Sequence, residues 1–431
     1  MDAAATEQEA GKRVRWSLIY AVFLLTIVNA FNYMDRMVLA VLAEPIKIDL
    51  DLSDAELGLL TGFAFVAVYA VVGLPLARLA DRIGRRWVLA GSLAVWSAMT
   101  AISGSARNFT ELALARAGVG VGEAGGMPSS HALIAEMYPP EKRAVPISIM
   151  TAGACIGIAA GLGLGGWVAG TYGWRAAFLI VGLPGLLLAL IVALTLPEPK
   201  RAAPADDAAP RPPMIASVRK LLSIKTYRWL VATHPFYTFI TAGLIGWLPP
   251  FYIRSHGMTV EAVGAFFGLA YGFGMVMGGI VGALVLQRVS KGRVEIIIRY
   301  AGWLMLLAFP LFAGAMFVPS QWISLLLITL FGMTTGAAGA PMIAGQQGVI
   351  DSGNRALGSA VSVFFSGYLG AGLGPVLIGV ASDSLAPIYG AEALRLSLLC
   401  ASLAIIPPGL FMLKASRHYA ADATTSSGQG G

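Results

Sequence analysis

The sequence predicts an all-α membrane protein: twelve transmembrane helices in two six-helix bundles, with both termini cytoplasmic. Three observations carry that expectation. Of 431 residues, 57% are hydrophobic and only 12% are charged, against roughly 25% charged in a soluble domain. The chain therefore has a large apolar exterior, and lipid is the solvent that tolerates one. Apolar runs of about 20 residues, the length that crosses a bilayer as a helix, recur twelve times between charged breaks. The basic residues are also unevenly shared among the loops. With both ends cytoplasmic, 23 of the 30 lysines and arginines fall on the inner side. Five fall outside (Lys47, Arg107, Arg175, Arg254 and Arg395) and two, Arg36 and Arg116, fall within the membrane. That is the positive-inside asymmetry, and it explains a net charge of +7 without nucleic acid.

In order, a polar N-tail, 1–15, carries no cleavable signal pattern. The first bundle, 16–196, holds segments at 16–43, 55–77, 87–105, 109–137, 145–170 and 175–196. A Pro-, Ala- and charge-rich stretch, 197–227, reads as a cytoplasmic linker; its end, "IASVRKLLSIKTYRW", fits a short amphipathic surface helix. The second bundle, 228–414, holds segments at 228–253, 260–286, 294–317, 321–349, 356–381 and 389–413. A C-tail, 415–431, follows. The halves echo each other: 141–166 and 353–379 each place Arg-Ala ahead of Ala-Gly-Leu-Gly at the same point of the fifth and eleventh segments. Internal repeats of this kind are typical of transporter architecture. Cys155 and Cys400 lie inside apolar runs and read as small core residues.

The charges inside lipid are the main functional signal. A charge at the bilayer centre costs at least about 2.5 kcal/mol, so such residues are rare and usually functional. In this reading only Asp35 and Arg36 of segment one, and Arg116 and Glu123 of segment four, lie deep. At 1.5 Å per residue, Asp35 sits roughly 12 Å and Arg116 roughly 10 Å below the outer surface. Glu123 is nearly two turns further in, on the same helix face as Arg116 and close to the midplane. Two positive and two negative charges imply mutual neutralisation: Asp35 and Arg116, at matching depth, can pair directly, while Arg36 and Glu123 can exchange partners as the helices rock. A buried acid whose arginine partner changes with conformation binds a proton in one state and releases it in the other, the requirement for coupling proton flow to alternating access. Glu123 and Asp35 are thus the proton-coupling candidates. A static pair that only orients two helices is the competing reading. Arg36 and Arg116 also suit a carboxylate or phosphate, and Asn29 and Asn32 flank the charges. His131 and His234 are weaker candidates for a proton relay.

Other features are structural or aromatic. Glycines 118, 120, 122, 125 and 126 permit close helix approach in segment four, and Pro128 is expected to kink it. Gly153, Gly157 and Gly161 form a close-packing face on segment five. The second half carries no deep charge in this reading but many aromatics: Phe236 and Tyr237 on segment seven, Tyr368 on segment eleven, with Pro249 and Pro250 expected to break the outer end of segment seven. A cavity charged on one wall and aromatic on the other suits an amphipathic anion. Arg36, Arg116, Asn32, Phe236, Tyr237 and Tyr368 are the substrate-binding candidates.

Two motifs carry a family resemblance. "ARLADRIGRRWVL", 77–89, resembles the G-x-L-a-D-R-x-G-R-R signature of the major facilitator superfamily, with Ala77 in place of the first Gly. By that resemblance Asp81, Arg82, Gly84, Arg85 and Arg86 form a cytoplasmic gate, joined by Arg143 of "YPPEKRA". "NYMDR" on segment one, R-x-G-x-G-x-G-E-A over 116–124 and "YPPEKRA" resemble the spinster branch. The resemblance implies a major facilitator fold and alternating-access transport of lysolipid- or sphingolipid-like anions. A proton- or sodium-coupled carrier of a small organic anion, such as a sugar phosphate or carboxylate, is the alternative.

Other classes fit less well. An embedded enzyme needs a nucleophile–base pair or a metal cluster, and four scattered histidines and two cysteines build neither. There is no G-x-x-x-x-G-K-[ST] loop for ATP. No cofactor, catalytic residue, metal or nucleic-acid partner is expected. The expected partners are the substrate, protons and membrane lipid, for a monomer in the plasma (inner) membrane.

Overall fold

The first apolar run has no glycine or internal breaker before Pro45, and it continues as one helix, α1, Asp2–Leu50. Helicity therefore extends back through residues 2–15, expected as a tail, and forward past Ala43. This is a computed structural model describing residues 2–139, 142–198, 214–351 and 354–427. Most of the linker (199–213), Pro140 and Glu141 of "YPPEKRA", Ser352, Gly353 and the end of the C-tail (428–431) lie outside the described residues.

The remaining helices follow in order. α2 (Asp54–Gly58), a π-helical turn (Leu59–Phe63) and α3 (Ala64–Ile83) continue one another. α4 (Arg85–Ser103), α5 (Phe109–Glu123), α6 (Gly126–Met137), α7 (Ala144–Tyr172) and α8 (Trp174–Thr195) complete the first half of the sequence. α9 (Met214–Ser223) is a short helix in the stretch expected to form one, with Met214 and Ile215 exposed and Ser217 and Leu221 buried. α10 (Lys225–Thr238), a π turn (Phe239–Leu244) and α11 (Ile245–His256) form the seventh segment, and α12 (Val260–Ala262), a π turn (Val263–Phe267) and α13 (Gly268–Ser290) the eighth. α14 (Val294–Phe317) and α15 (Gln321–Gly348) precede α16 (Arg355–Phe365), a π turn (Ser366–Gly372) and α17 (Leu373–Tyr389). α18 (Ala393–Ser402) and α19 (Ile406–Ser427) end the chain. Among the described residues there is no strand, and nine helical stretches are long and apolar enough to cross a bilayer.

Of two expectations about prolines, one changes. Segment four breaks at Ala124 and Gly125, ahead of Pro128. A proline ring collides with the carbonyl four residues back, and for Pro128 that is Ala124. Segment seven is helical through Pro249 and Pro250, both buried inside α11. The φ that proline imposes is a helical one, and Gly246, four residues before Pro250, leaves room for the ring. The irregularity falls earlier, in the π turn after Pro235.

Contacts divide the chain into two units. Unit 1 is Met1–Leu42 with Ala67–Pro204; unit 2 is Ala43–Val66 with Ala205–Gly431. In unit 1, glycines at four-residue spacing bring backbones together. A Cβ on Gly153, Gly157 or Gly161 of α7 would lie 2.3, 2.1 or 2.6 Å from the carbonyl oxygens of Thr26, Ala30 or Met34 of α1. Gly122 of α5 abuts Trp96 of α4 in the same way, at 2.5 Å. In unit 2, α17 approaches α2 through Gly379, 2.2 Å from the Asp54 carbonyl by the same measure.

Candidate functional site

Helix α1 presents Asp35 and Arg36 to different partners. Asp35, 2% exposed, accepts from Arg116 Nη1 of α5 at 3.1 Å and from the Thr100 hydroxyl of α4. Arg36 donates from Nε (2.8 Å) and Nη2 (2.6 Å) to one oxygen, Oε2, of Glu123. The structure therefore brings four sequence candidates from two helices into two pairs. Close helix packing makes this possible, since Gly118 and Gly122 of α5 leave room for α4.

The two pairs differ in access. Asp35 and Arg116 are both enclosed, with side chains 3% exposed. Glu123 is fully buried, but the Arg36 side chain is 33% exposed. The Arg36 side chain is thus partly exposed while the carboxylate it bonds is not. Tyr33 and Tyr69 place their ring centroids 5.8 and 6.0 Å from Arg36 Cζ, a cation–π arrangement. The second carboxylate oxygen, Glu123 Oε1, is buried without a hydrogen-bond partner among the described residues, as is Arg116 Nε. A buried polar atom left unpaired is costly, and an unpaired carboxylate oxygen is where a proton can be held. Asn29 donates to the Met150 carbonyl at 3.0 Å, and Asn32 is buried. Thr100, Tyr33 and Tyr69 were not singled out by sequence; a hydroxyl and two rings in apolar helices carry no signal until a charge is beside them.

The motif at 77–89 sits where α3 turns into α4. Gly84 adopts φ +108°, a value only glycine takes without strain. Asp81 is exposed and lies 3.8 Å from Arg85, one turn on. Arg85 also pairs with Glu136 and donates to the Ala132 carbonyl of α6 at 3.1 Å. Arg86 donates to the Leu196 carbonyl at 3.2 Å and faces Glu198. Arg143 closes the end of α6, donating to the carbonyls of Tyr138 (2.9 Å) and Ala135 (2.6 Å). Arg82 is exposed on the last turn of α3. These residues all belong to unit 1.

The aromatic candidates lie in unit 2. Tyr237 donates to the Thr335 carbonyl at 3.1 Å. Phe236 packs edge-on to Phe411, and Tyr368 lies 4.9 Å from the Phe364 ring. His234 bonds Gln346 (2.9 Å), which itself donates to Ser362 (2.7 Å). His131 meets the Met127 carbonyl one turn back, at 3.0 Å, the contact of an ordinary helix histidine.

A second charged cluster was not anticipated. Arg254, at the end of α11, donates to Glu44 at 2.8 Å and forks onto both oxygens of Asp54 at 2.8 Å each. Lys47 also donates to Asp54, and Ser382 of α17 adds a bond of 2.6 Å. Asp383 accepts from the backbone N–H of Asp54 (2.9 Å) and Ala55 (2.8 Å), capping α2. Asp54 is 2% and Glu44 9% exposed. In sequence Glu44, Lys47 and Asp54 read as an ordinary outer loop.

The superfamily's sequence pattern, described as Major Facilitator Superfamily, matches residues 25–375. An MFS-type efflux pump of Mycolicibacterium smegmatis is 34% identical over 95% of this chain and 94% of its own. A probable galactarate/D-glucarate transporter of Bacillus subtilis is 26% identical over 78% of this chain and 80% of its own. The crystal structure of a bacterial homologue of the human lysosomal transporter spinster, inward-facing and unoccupied, superposes with a TM-score of 0.81 at 26% identity, covering 94% of this chain and 98% of that one. The all-helical fold, the 77–89 motif, the charges on α1 and α5 and these likenesses agree: this chain belongs to the Major Facilitator Superfamily and resembles its spinster members.

Proposed function

We propose that the protein is a secondary active transporter, not an enzyme, which moves an amphipathic anion by alternating access and couples it to protons through Glu123. One observation carries the reading. Arg36 is one-third exposed and bonds one oxygen of a fully buried acid whose other oxygen has no hydrogen-bond partner among the described residues. An anionic head that takes Arg36 competes with Glu123 for its guanidinium. A carboxylate stripped of its counter-ion in the interior is costly and takes up a proton. Anion and proton therefore favour each other's binding, and by linkage the effect is reciprocal. Asp35 and Arg116, enclosed and paired, hold α1 and α5 in register and take part when α1 moves. Asn32 and the aromatic residues Phe236, Tyr237 and Tyr368 are assigned to the rest of the substrate. In this reading twelve spans form two six-helix halves (16–196 and 228–414) with cytoplasmic termini, in a monomer of the plasma (inner) membrane. Asp81, Arg82, Gly84, Arg85, Arg86 and Arg143 form the inner gate.

A second reading is favoured by a specific likeness: the B. subtilis relative is named for sugar diacids. A small organic acid would meet Arg36 by the same chemistry without a tail. Proteoliposome flux under an imposed pH gradient, with a lysophosphatidylglycerol and with galactarate as substrates, separates the two. The lysolipid is expected to be the driven substrate, and driven galactarate flux alone would favour the alternative. Glu123→Gln is expected to abolish the gradient dependence, and equal driven flux in wild type and variant would remove Glu123 as the proton site. Arg36→Ala is expected to abolish transport while the protein still inserts and elutes as folded; full activity would refute the role of Arg36.

A further inference from the structure

Unit 2 carries a groove unrelated to the charged pairs. α13 and α14 both pack on α15, and between them a trough of about 590 Å³ remains, within the range of small-molecule sites. Its walls are almost wholly apolar: Val281, Val285 and Val289 on α13, Trp303 and Leu307 on α14, and Met333 on the floor. Gly278 and Gly282 bring α13 onto α15, where a Cβ would meet the Met333 carbonyl at 2.1 Å and Ala337 at 2.5 Å.

Two features say what fills it. Along α13 the lining runs from Gly278 to Val289, about 16 Å of helix, or half of a hydrocarbon core about 30 Å thick. The groove is thus one leaflet deep, and it ends where α13 ends. At that end the charge is basic. Arg288 stands seven residues after Val281, and Arg299 four before Trp303, so helical register continues both groove faces into these guanidinium groups. Both are exposed, as is Lys291 in the turn between the helices. The acid at this end, Glu295, bonds Arg293 at 2.7 Å. Tyr300 and Trp303 sit at the level where aromatic residues meet headgroups.

We infer that this groove binds one anionic phospholipid, an acyl chain lying along Val281, Val285 and Leu307 and its phosphate at Arg288, Arg299 and Lys291. The inference does not rest on the transport reading, and its readout is lipid binding. Trp303 is the built-in reporter. In nanodiscs of phosphatidylcholine containing the full chain, tryptophan fluorescence is titrated with dibrominated phosphatidylglycerol or dibrominated phosphatidylcholine. The expected result is a saturable quench half-complete at about ten-fold lower mole fraction for the glycerol lipid. Trp303→Phe should remove that component. The double variant Arg288→Ser/Arg299→Ser should retain quenching but lose the preference. Equal quenching by the two lipids, or a preference that survives in the double variant, overturns the inference. So does a saturable component unchanged in Trp303→Phe, which keeps both charges and therefore remains decisive if the double variant does not fold. A second copy occupying the groove would give a dimer whose Trp303 is not quenched, and that too overturns it.

Discussion

A buried ion pair holds a structure together only while both partners are present. Asp35 and Arg116 are enclosed to within a few per cent, so removing either leaves an uncompensated charge. Arg116→Ala is expected to cost about 3–5 kcal/mol, because breaking a buried pair is far costlier than replacing it whole. Asp35→Ala/Arg116→Ala should cost clearly less than the sum of the single variants, read from thermal unfolding in detergent; additive costs would show that the two do not interact. Gly84 is a second residue-scale case. At φ +108° a side chain is strained, and a Cβ there would approach Glu198 Oε1 to 2.3 Å. Gly84→Ala is expected to lower stability by about 1–3 kcal/mol, while Ala77, which departs from the family motif, is already a side-chain-bearing residue. Sequence reading reached Asp35, Arg36, Arg116 and Glu123 because charge inside an apolar run is costly and so conspicuous. It did not reach Thr100 or Tyr69, which meet these charges only through the packing of other helices, nor Tyr33, three residues before Arg36 on α1.

At the scale of elements, small residues decide which helices touch. Gly157 of α7 lies so close to α1 that a Cβ would be 2.1 Å from the Ala30 carbonyl, whereas Gly163 on the same helix has nothing within 4 Å. Gly157→Ala is expected to destabilise by about 1–3 kcal/mol through overpacking. Gly163→Ala should be neutral or stabilising by up to about 1 kcal/mol, since alanine is the better helix former. Melting curves of the two purified variants test this directly, and equal effects would reject the packing assignment. The glycine face of segment five was legible because its spacing matches the helix repeat. The break in segment four was legible from Pro128, since a proline disturbs the turn before it, here at Ala124. The breaks expected at Pro249 and Pro250 did not occur, because proline costs a hydrogen bond without excluding helical φ.

At the scale of the whole molecule, the cluster around Arg254 ties the stretch Ala43–Val66 to α11 and α17. Arg254 engages Glu44 and Asp54 across 210 and 200 positions of sequence, and Asp383 caps α2 from a distant segment. We read it as a latch, which must open for these ends of the helices to part. Arg254→Leu leaves two buried carboxylates with Lys47 as their remaining counter-ion. Hydrogen–deuterium exchange is expected to rise in peptides covering 43–66 and 373–389, while α4 and α8 keep their protection; unchanged exchange in both peptides would refute the latch.

What the sequence by itself determined is the chemistry of the outside and the existence of the helices. Apolar length, basic loops and the 77–89 motif are local properties, and a bilayer converts them into helices because backbone groups in lipid must bond within their own segment. Helical depth already put Asp35 level with Arg116; what only the tertiary structure decided is the partner of Arg36 and the cluster around Arg254. Arg36 settles on Glu123 rather than Asp35, and Glu44 and Asp54, unremarked in sequence, become partners of Arg254. Pairing energy depends on separation and on exclusion of water, and both are fixed by how helices far apart in the chain pack.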